Sequence, residues 1–152
     1  MNILYDISNI TKNNIVYLGG YAIAIDNDIN YKKNEIDFYI SIENESYLEN
    51  LNLTKTENNF PYPVLERYIG LYKNYWLDVF VSDRVPIFKI KNGLKYTTIE
   101  DDIEYFNLMY KNSNNDYFLN KLNENTKRYS RIIQKFSNTE LTSSSLSSFK
   151  DR

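Results

Sequence analysis

Hydrophobic and polar positions change period several times along this chain, and each change predicts an element. Ile3, Leu4, Ile7 and Ile10 recur at near-helical spacing, which predicts a short amphipathic helix within residues 1–12, ended by Asn13-Asn14. Residues 15–18 are apolar and too few for a helix, so they predict a buried strand. Gly19-Gly20 then supplies a tight strand-to-helix turn, and residues 21–25 start a helix. Residues 26–34 are polar and loop-like, with Lys32 and Lys33 at their end. From Glu35 to Ile42 acid and apolar side chains alternate, as in a strand with one wet face.

Residues 43–51 predict a short helix, residues 52–59 carry no clear pattern, and Pro61-Tyr62-Pro63 marks a turn. Residues 64–71 predict a strand. Residues 75–81 predict another with more force, being aromatic and β-branched apart from Asp78. Residues 87–96 read as a hairpin turning at Lys91-Asn92-Gly93. At Thr98 the period becomes helical, with Asp101 completing an imperfect capping box. Ile103, Phe106, Leu108 and Met109 form a stripe, Asn112–Asn115 breaks it, and residues 117–136 predict one or two further helices. The resulting expectation is one α/β (α+β) domain over residues 1–137. It has a small mixed sheet with helices on one side (core 13–97), a helical segment 98–137, and a Ser-rich frayed tail 138–152.

Composition narrows the chemistry. The 152 residues hold no Cys and no His, which excludes disulfides, thiol nucleophiles, imidazole general bases and the common zinc sites. Catalysis on this chain must use carboxylates, Lys, Arg, Tyr, Ser or a bound ion. A formal net charge of −2 argues against holding nucleic acid by bulk electrostatics. With neither a spanning apolar run nor a signal-peptide pattern, the expected location is cytoplasmic, away from membranes.

Two features ask for a cation. Glu35 and Asp37 are two residues apart on a predicted strand, so their side chains project together, and adjacent carboxylates repel unless a positive charge lies between them. Asp78 is a lone acid inside an apolar strand, where burial is expensive without a cation or donors. Each feature alone has a commonplace reading: a solvated strand face for the acid pair, an ordinary turn for Gly19-Gly20, a hydrogen-bonded structural acid for Asp78. Asp101-Asp102 and Glu104 are the acidic first turn that a helix dipole favours. The aromatics Tyr68, Tyr72, Tyr75 and Trp76 suit core packing, with base stacking as the alternative.

Taken in order, Gly19-Gly20-Tyr21-Ala22-Ile23-Ala24, Lys32-Lys33, Glu35-Ile36-Asp37-Phe38-Tyr39-Ile40 and Leu77-Asp78-Val79-Phe80 resemble the nucleotidyltransferase superfamily with the polymerase-beta-like fold. The likeness is greatest to its small prokaryotic and phage branch, which includes the AbiEii-type toxins. It extends more weakly to residues 98–117, where Glu100, Asp101 and Lys111 match an acidic cap and a Lys. The resemblance implies a metal-dependent transfer of a nucleoside monophosphate from an NTP to a hydroxyl of a protein, RNA or small molecule. It implies Glu35, Asp37 and Asp78 as catalytic ligands of Mg²⁺ or Mn²⁺, Gly19 and Gly20 as the phosphate turn, and Lys33 and Lys111 as nucleotide-binding charges. The chain departs from the family pattern in having Glu35 where Asp is usual, Lys where Arg commonly precedes the acids, and no Gly after the first helix. A degenerate member of the fold, used as a binding or assembly module, is the alternative expectation, and a toxin-like enzyme neutralised by a protein partner a further one.

Overall fold

The computed structural model describes residues 2–84 and 86–138. They fall into two compact units that divide between Thr98 and Ile99.

The first unit is a seven-stranded mixed sheet with helices against one face. In chain order it comprises α1 (Asn2–Ile10), β1 (Ile15–Leu18), α2 (Gly19–Asn27), β2 (Glu35–Ser41), a 3-10 helix (Ile42–Leu51), β3 (Thr54–Thr56), β4 (Val64–Tyr72), β5 (Tyr75–Ser82), β6 (Lys89–Lys91) and β7 (Leu94–Tyr96). The strand order is β3-β4-β5-β2-β1-β7-β6. β2 lies at the centre, antiparallel to β1 and parallel to β5. Strand alternation sends Ile36, Phe38 and Ile40 of β2 and Leu77, Val79 and Val81 of β5 to the same side. All six are fully buried there, with Ile3, Leu4 and Ile7 of α1 and Tyr21, Ala22 and Ile25 of α2 packed in the same cluster. The 3-10 helix adds Leu48 and Leu51; a three-residue repeat eclipses positions 45, 48 and 51, so Glu45 shares their side of that helix.

Local turn chemistry accounts for the connections. Lys12 and Asn13 take left-handed conformations and end α1, and Asn52 does the same after the 3-10 helix. The β6–β7 hairpin turns on Asn92 and Gly93 alone, both with positive φ, the pattern that matches strand twist. The β4–β5 hairpin uses the same geometry at Lys73 and Asn74 without any glycine. β3, an edge strand of three residues paired antiparallel with β4, falls in the stretch whose pattern was unclear. Among the described residues no helix is long and apolar enough to cross a membrane.

The second unit contains α3 (Ile99–Ser113) and α4 (Asp116–Asn138). Asn114 takes a left-handed conformation at the break, and Phe118, buried, meets Phe106 and Tyr117 ring to ring. A single helix therefore covers the region expected to hold one or two. The predicted tail begins at residue 138, and residues 139–152 lie outside the described part of the chain.

Candidate functional site on the acidic sheet face

The face of the sheet opposite the core cluster carries the candidate chemistry. β2 and β5 run parallel with Glu35 beside Trp76, Asp37 beside Asp78, and Tyr39 beside Phe80. Asp37 and Asp78 are therefore cross-strand neighbours on one face, where strands stand about 5 Å apart. Glu35 is two residues before Asp37, on the same face and exposed. Among the described residues no set of three or more acidic side chains is gathered closely enough to hold a metal ion. The fold thus pairs the two aspartates and does not bring the glutamate in with them to form a cage.

Asp78 has a cation, and it is a side chain. Arg67 lies on β4 opposite Phe80, while Ile69 is the residue opposite Asp78; Arg67 reaches its acid on the diagonal, a span a long side chain covers. Its Nε donates to Asp78 Oδ1 at 2.8 Å and its Nη2 to Oδ2 at 2.7 Å, the two-pronged geometry that makes arginine–carboxylate pairs strong. The pair is half-buried, at 30% exposure for the arginine side chain and 18% for the aspartate. The guanidinium also stands 5.6 Å from the ring centre of Phe60 and 5.9 Å from that of Phe80, within cation–π range. Phe60 and Phe80 meet edge to face at 5.0 Å, and Tyr39 packs on Phe80 at 5.8 Å. Bonding to Asp78 holds the proton on Arg67 more firmly than usual, and the charge on Asp37 adds to this.

The glycine turn lies directly beside the aspartates. Leu18, the last residue of β1, pairs with Asp37, and α2 begins at Gly19. Gly19 has φ +68, and a methyl group there would stand 3.2 Å from Asp37 Oδ2. Its conformation and its proximity to the acid both favour glycine. At Gly20 a methyl group would fall 2.1 Å from Tyr31 Oη, because the loop after α2 folds back and lays Tyr31 on the helix start. Tyr31 also meets Tyr21 edge to face at 4.7 Å, and the Tyr21 hydroxyl donates to the Lys33 carbonyl. Leu18, the residue before α2, makes no side-chain cap hydrogen bond to its first turn.

Lys33 lies in this loop, just before β2, with its side chain exposed. Lys111 is exposed in the last turn of α3, in the second unit. A cavity of about 400 Å³ opens at the other end of α2, among Tyr5, Ile25, Asp28 and Lys91, away from the glycine turn.

Searched against protein-family models, curated proteins and solved structures, the chain matches none of them. Any functional reading therefore rests on the residues and their geometry.

Two residues, Arg67 on this face and Tyr31 at the start of α2, are absent from the candidates that the sequence suggested. Arg67 had a signal, since Asp78 demanded a positive partner and β4 contains one basic residue, Arg67. Tyr31 had none, because nothing in a polar loop records which backbone its ring will cover. The donor set suits a hard divalent cation. Mg²⁺ is usually held by one or two carboxylates with substrate phosphates completing its shell, and Asp37 and Asp78 are oxygen donors of that kind in register on neighbouring strands. Each carboxylate oxygen has two acceptor sites, so the bonds from Arg67 leave one on each oxygen of Asp78.

Proposed function

We propose that the acidic face is a nucleotidyl-transfer site, in which a nucleoside monophosphate passes from an NTP to a hydroxyl acceptor with Mg²⁺ or Mn²⁺. The observation that carries this reading is the registered pairing of Asp37 with Asp78 directly beside the Gly19 turn. Nucleotidyl transfer asks a protein chiefly to position reactants and neutralise polyphosphate charge. A divalent ion, when bound, supplies that neutralisation and polarises the phosphoryl oxygens.

This chain's own residues do the rest. Asp37 and Asp78 hold the ion. The amides at the start of α2, where the helix dipole is positive, receive phosphate oxygens. Arg67 balances the charge on Asp78. Glu35, exposed at the edge of the face, is an outer acid in this arrangement, and Lys33 is a mobile charge for phosphate. The resemblance to the polymerase-beta-like nucleotidyltransferases supports the reading through the order Gly-Gly, acid-x-acid, acid.

A second reading is favoured by the bonds that close Arg67 over Asp78: a lapsed transferase fold that serves as a binding or assembly module. Trp76, the one tryptophan in the chain, stands beside Glu35 and is 40% exposed, so its emission reports on this face. Titration with ATP and Mn²⁺ is expected to change that emission saturably in the wild type and not in Asp37→Asn. Absence of any metal-dependent change in the wild type favours the second reading, and identical curves for the two proteins remove Asp37 from the site.

A further inference from the structure

Resting on the nucleotidyl-transfer reading, we infer that Trp76 and Leu71 seat the base of the nucleotide and that Glu35 selects bases carrying an amino group. Three rows of side chains cross the acidic face. Glu35, Trp76 and Leu71 lie side by side on β2, β5 and β4, and two residues away along the strands come Asp37, Asp78 and Ile69. Tyr39, Phe80 and Arg67 form the third row, filled by packed rings and the guanidinium. In the first row all three side chains are exposed. Two strand residues span about 7 Å, and one ribose joins a base to the phosphate that the ion meets. A nucleotide held at the middle row by Asp37, Asp78 and their ion therefore brings its base to the first.

The chemistry of each side chain assigns its part. An exposed indole is a stacking surface for purines and pyrimidines alike. Leu71, paired with Trp76, extends that surface with an aliphatic flank on which a base leaves water. Glu35 stands on the other side of Trp76, about one strand spacing away. An ionised carboxylate only accepts hydrogen bonds, so it favours a base edge that presents N–H groups. Adenine, cytosine and guanine each carry an amino group, whereas uracil, like thymine, turns a carbonyl oxygen to the place of cytosine's, and the acid repels it. Glu35 thus has a task apart from the ion, which the two aspartates hold.

The test measures the affinity of the full chain, with Mn²⁺, for CTP, UTP and inorganic tripolyphosphate by isothermal titration calorimetry. Cytosine and uracil share one ring size and differ at the edge that Glu35 reads. The wild type is expected to bind CTP at least about fivefold more tightly than UTP, and tripolyphosphate more weakly than either. Glu35→Gln, which offers both a donor and an acceptor, is expected to bring CTP and UTP within about twofold of each other. Trp76→Leu is expected to weaken CTP and UTP alike by at least about fivefold and to leave tripolyphosphate unchanged, while Trp76→Phe, which keeps a ring, stays near the wild type. Both positions are exposed, so the variants are expected to melt with the wild type. Equal affinities for CTP and UTP in the wild type, or a preference for CTP that persists in Glu35→Gln, overturns the part given to Glu35. Unchanged nucleotide affinity in Trp76→Leu, or an equal loss for tripolyphosphate, overturns the base seat. Each of these results leaves the transfer reading standing; no metal-dependent binding of any of the three by the wild type overturns both.

Discussion

The two faces of the seven-stranded sheet are built from alternate residues of the same strands, yet they follow opposite rules. On one, Ile36, Phe38, Ile40, Leu77, Val79 and Val81 are wholly buried. On the other, the interleaved residues are Glu35, Asp37, Tyr39, Trp76, Asp78 and Phe80, with Leu71 of β4 paired to Trp76 and 64% exposed. The first face is explained completely by apolar burial. The second is not: carboxylates in register repel, and an exposed tryptophan beside an exposed leucine gains nothing for folding. A strand period of two lets one segment carry an apolar face and an acidic face together.

The sharpest contrast is between neighbours on β2. Phe38→Ala is expected to destabilise the protein by about 3–5 kcal/mol, the usual range for emptying a buried aromatic site. Asp37→Asn, one residue away, is expected to shift stability by less than about 1 kcal/mol. Urea melts of the two variants check this, and comparable losses would erase the distinction between the faces.

The next largest effect lies at the turn that joins them. Gly20→Ala puts a methyl group where Tyr31 Oη sits, so the tyrosine must leave. The expected loss is about 1–3 kcal/mol, as for other overpacked sites, read in the same melts. A wild-type melting curve for Gly20→Ala would show that Tyr31 does not hold the start of α2.

The smallest effect belongs to the rim of the core face. There Tyr68 donates to Glu45 Oε2 at 2.8 Å and Lys55 to Glu66 Oε1 at 2.7 Å, and Glu66 Oε2 is buried without a partner unless Glu45 carries a proton. Hydrogen bonding between the two carboxyl groups raises the pKa of Glu45 and lowers that of Glu66, and the bond to Glu45 pushes the Tyr68 hydroxyl up to about 12. The signs oppose. The raised Glu45 favours the fold at low pH and loses that contribution as pH rises through its folded value. The lowered Glu66 favours the fold above the ordinary carboxylate range and loses it as pH falls through its own. Glu45→Gln keeps a donor toward Glu66 at every pH. It is expected to melt above the wild type at pH 8, by less than about 1 kcal/mol for so exposed a pair. The gap should close as pH falls and the wild-type Glu45 takes up its proton; a gap that widens toward low pH would contradict the shared proton.

Much of the first unit was legible because its signals are local. Ile15–Leu18, the Gly19-Gly20 turn, the alternation from Glu35 and the apolar run around Asp78 each sit within a few residues, and the strands they predict are present. What was not legible is long-range or lacks its usual marker. β3 is three residues of Thr-Lys-Thr at an edge, too short for a period to show. The Lys73-Asn74 turn adopts positive φ without glycine. The 3-10 helix has the length expected of an α-helix but a different repeat. On the acidic face the side-by-side placement of Asp37 and Asp78 depends on β2 and β5 being sheet neighbours, which no local pattern states. Glu35 was grouped with them by strand alternation, and the structure shows a shared face without a three-acid cluster.

On the proposed reading the acidic face transfers nucleotides while the buried face only folds the chain. Incubation of the full chain with Mn²⁺ and α-labelled NTPs, with cell extract as acceptor, tests it most directly when run beside a melt of each protein. Label transfer is expected from the wild type, with a loss of at least about a hundredfold in Asp37→Asn and an unchanged melting curve. Equal transfer by the wild type and a folded Asp37→Asn would contradict it.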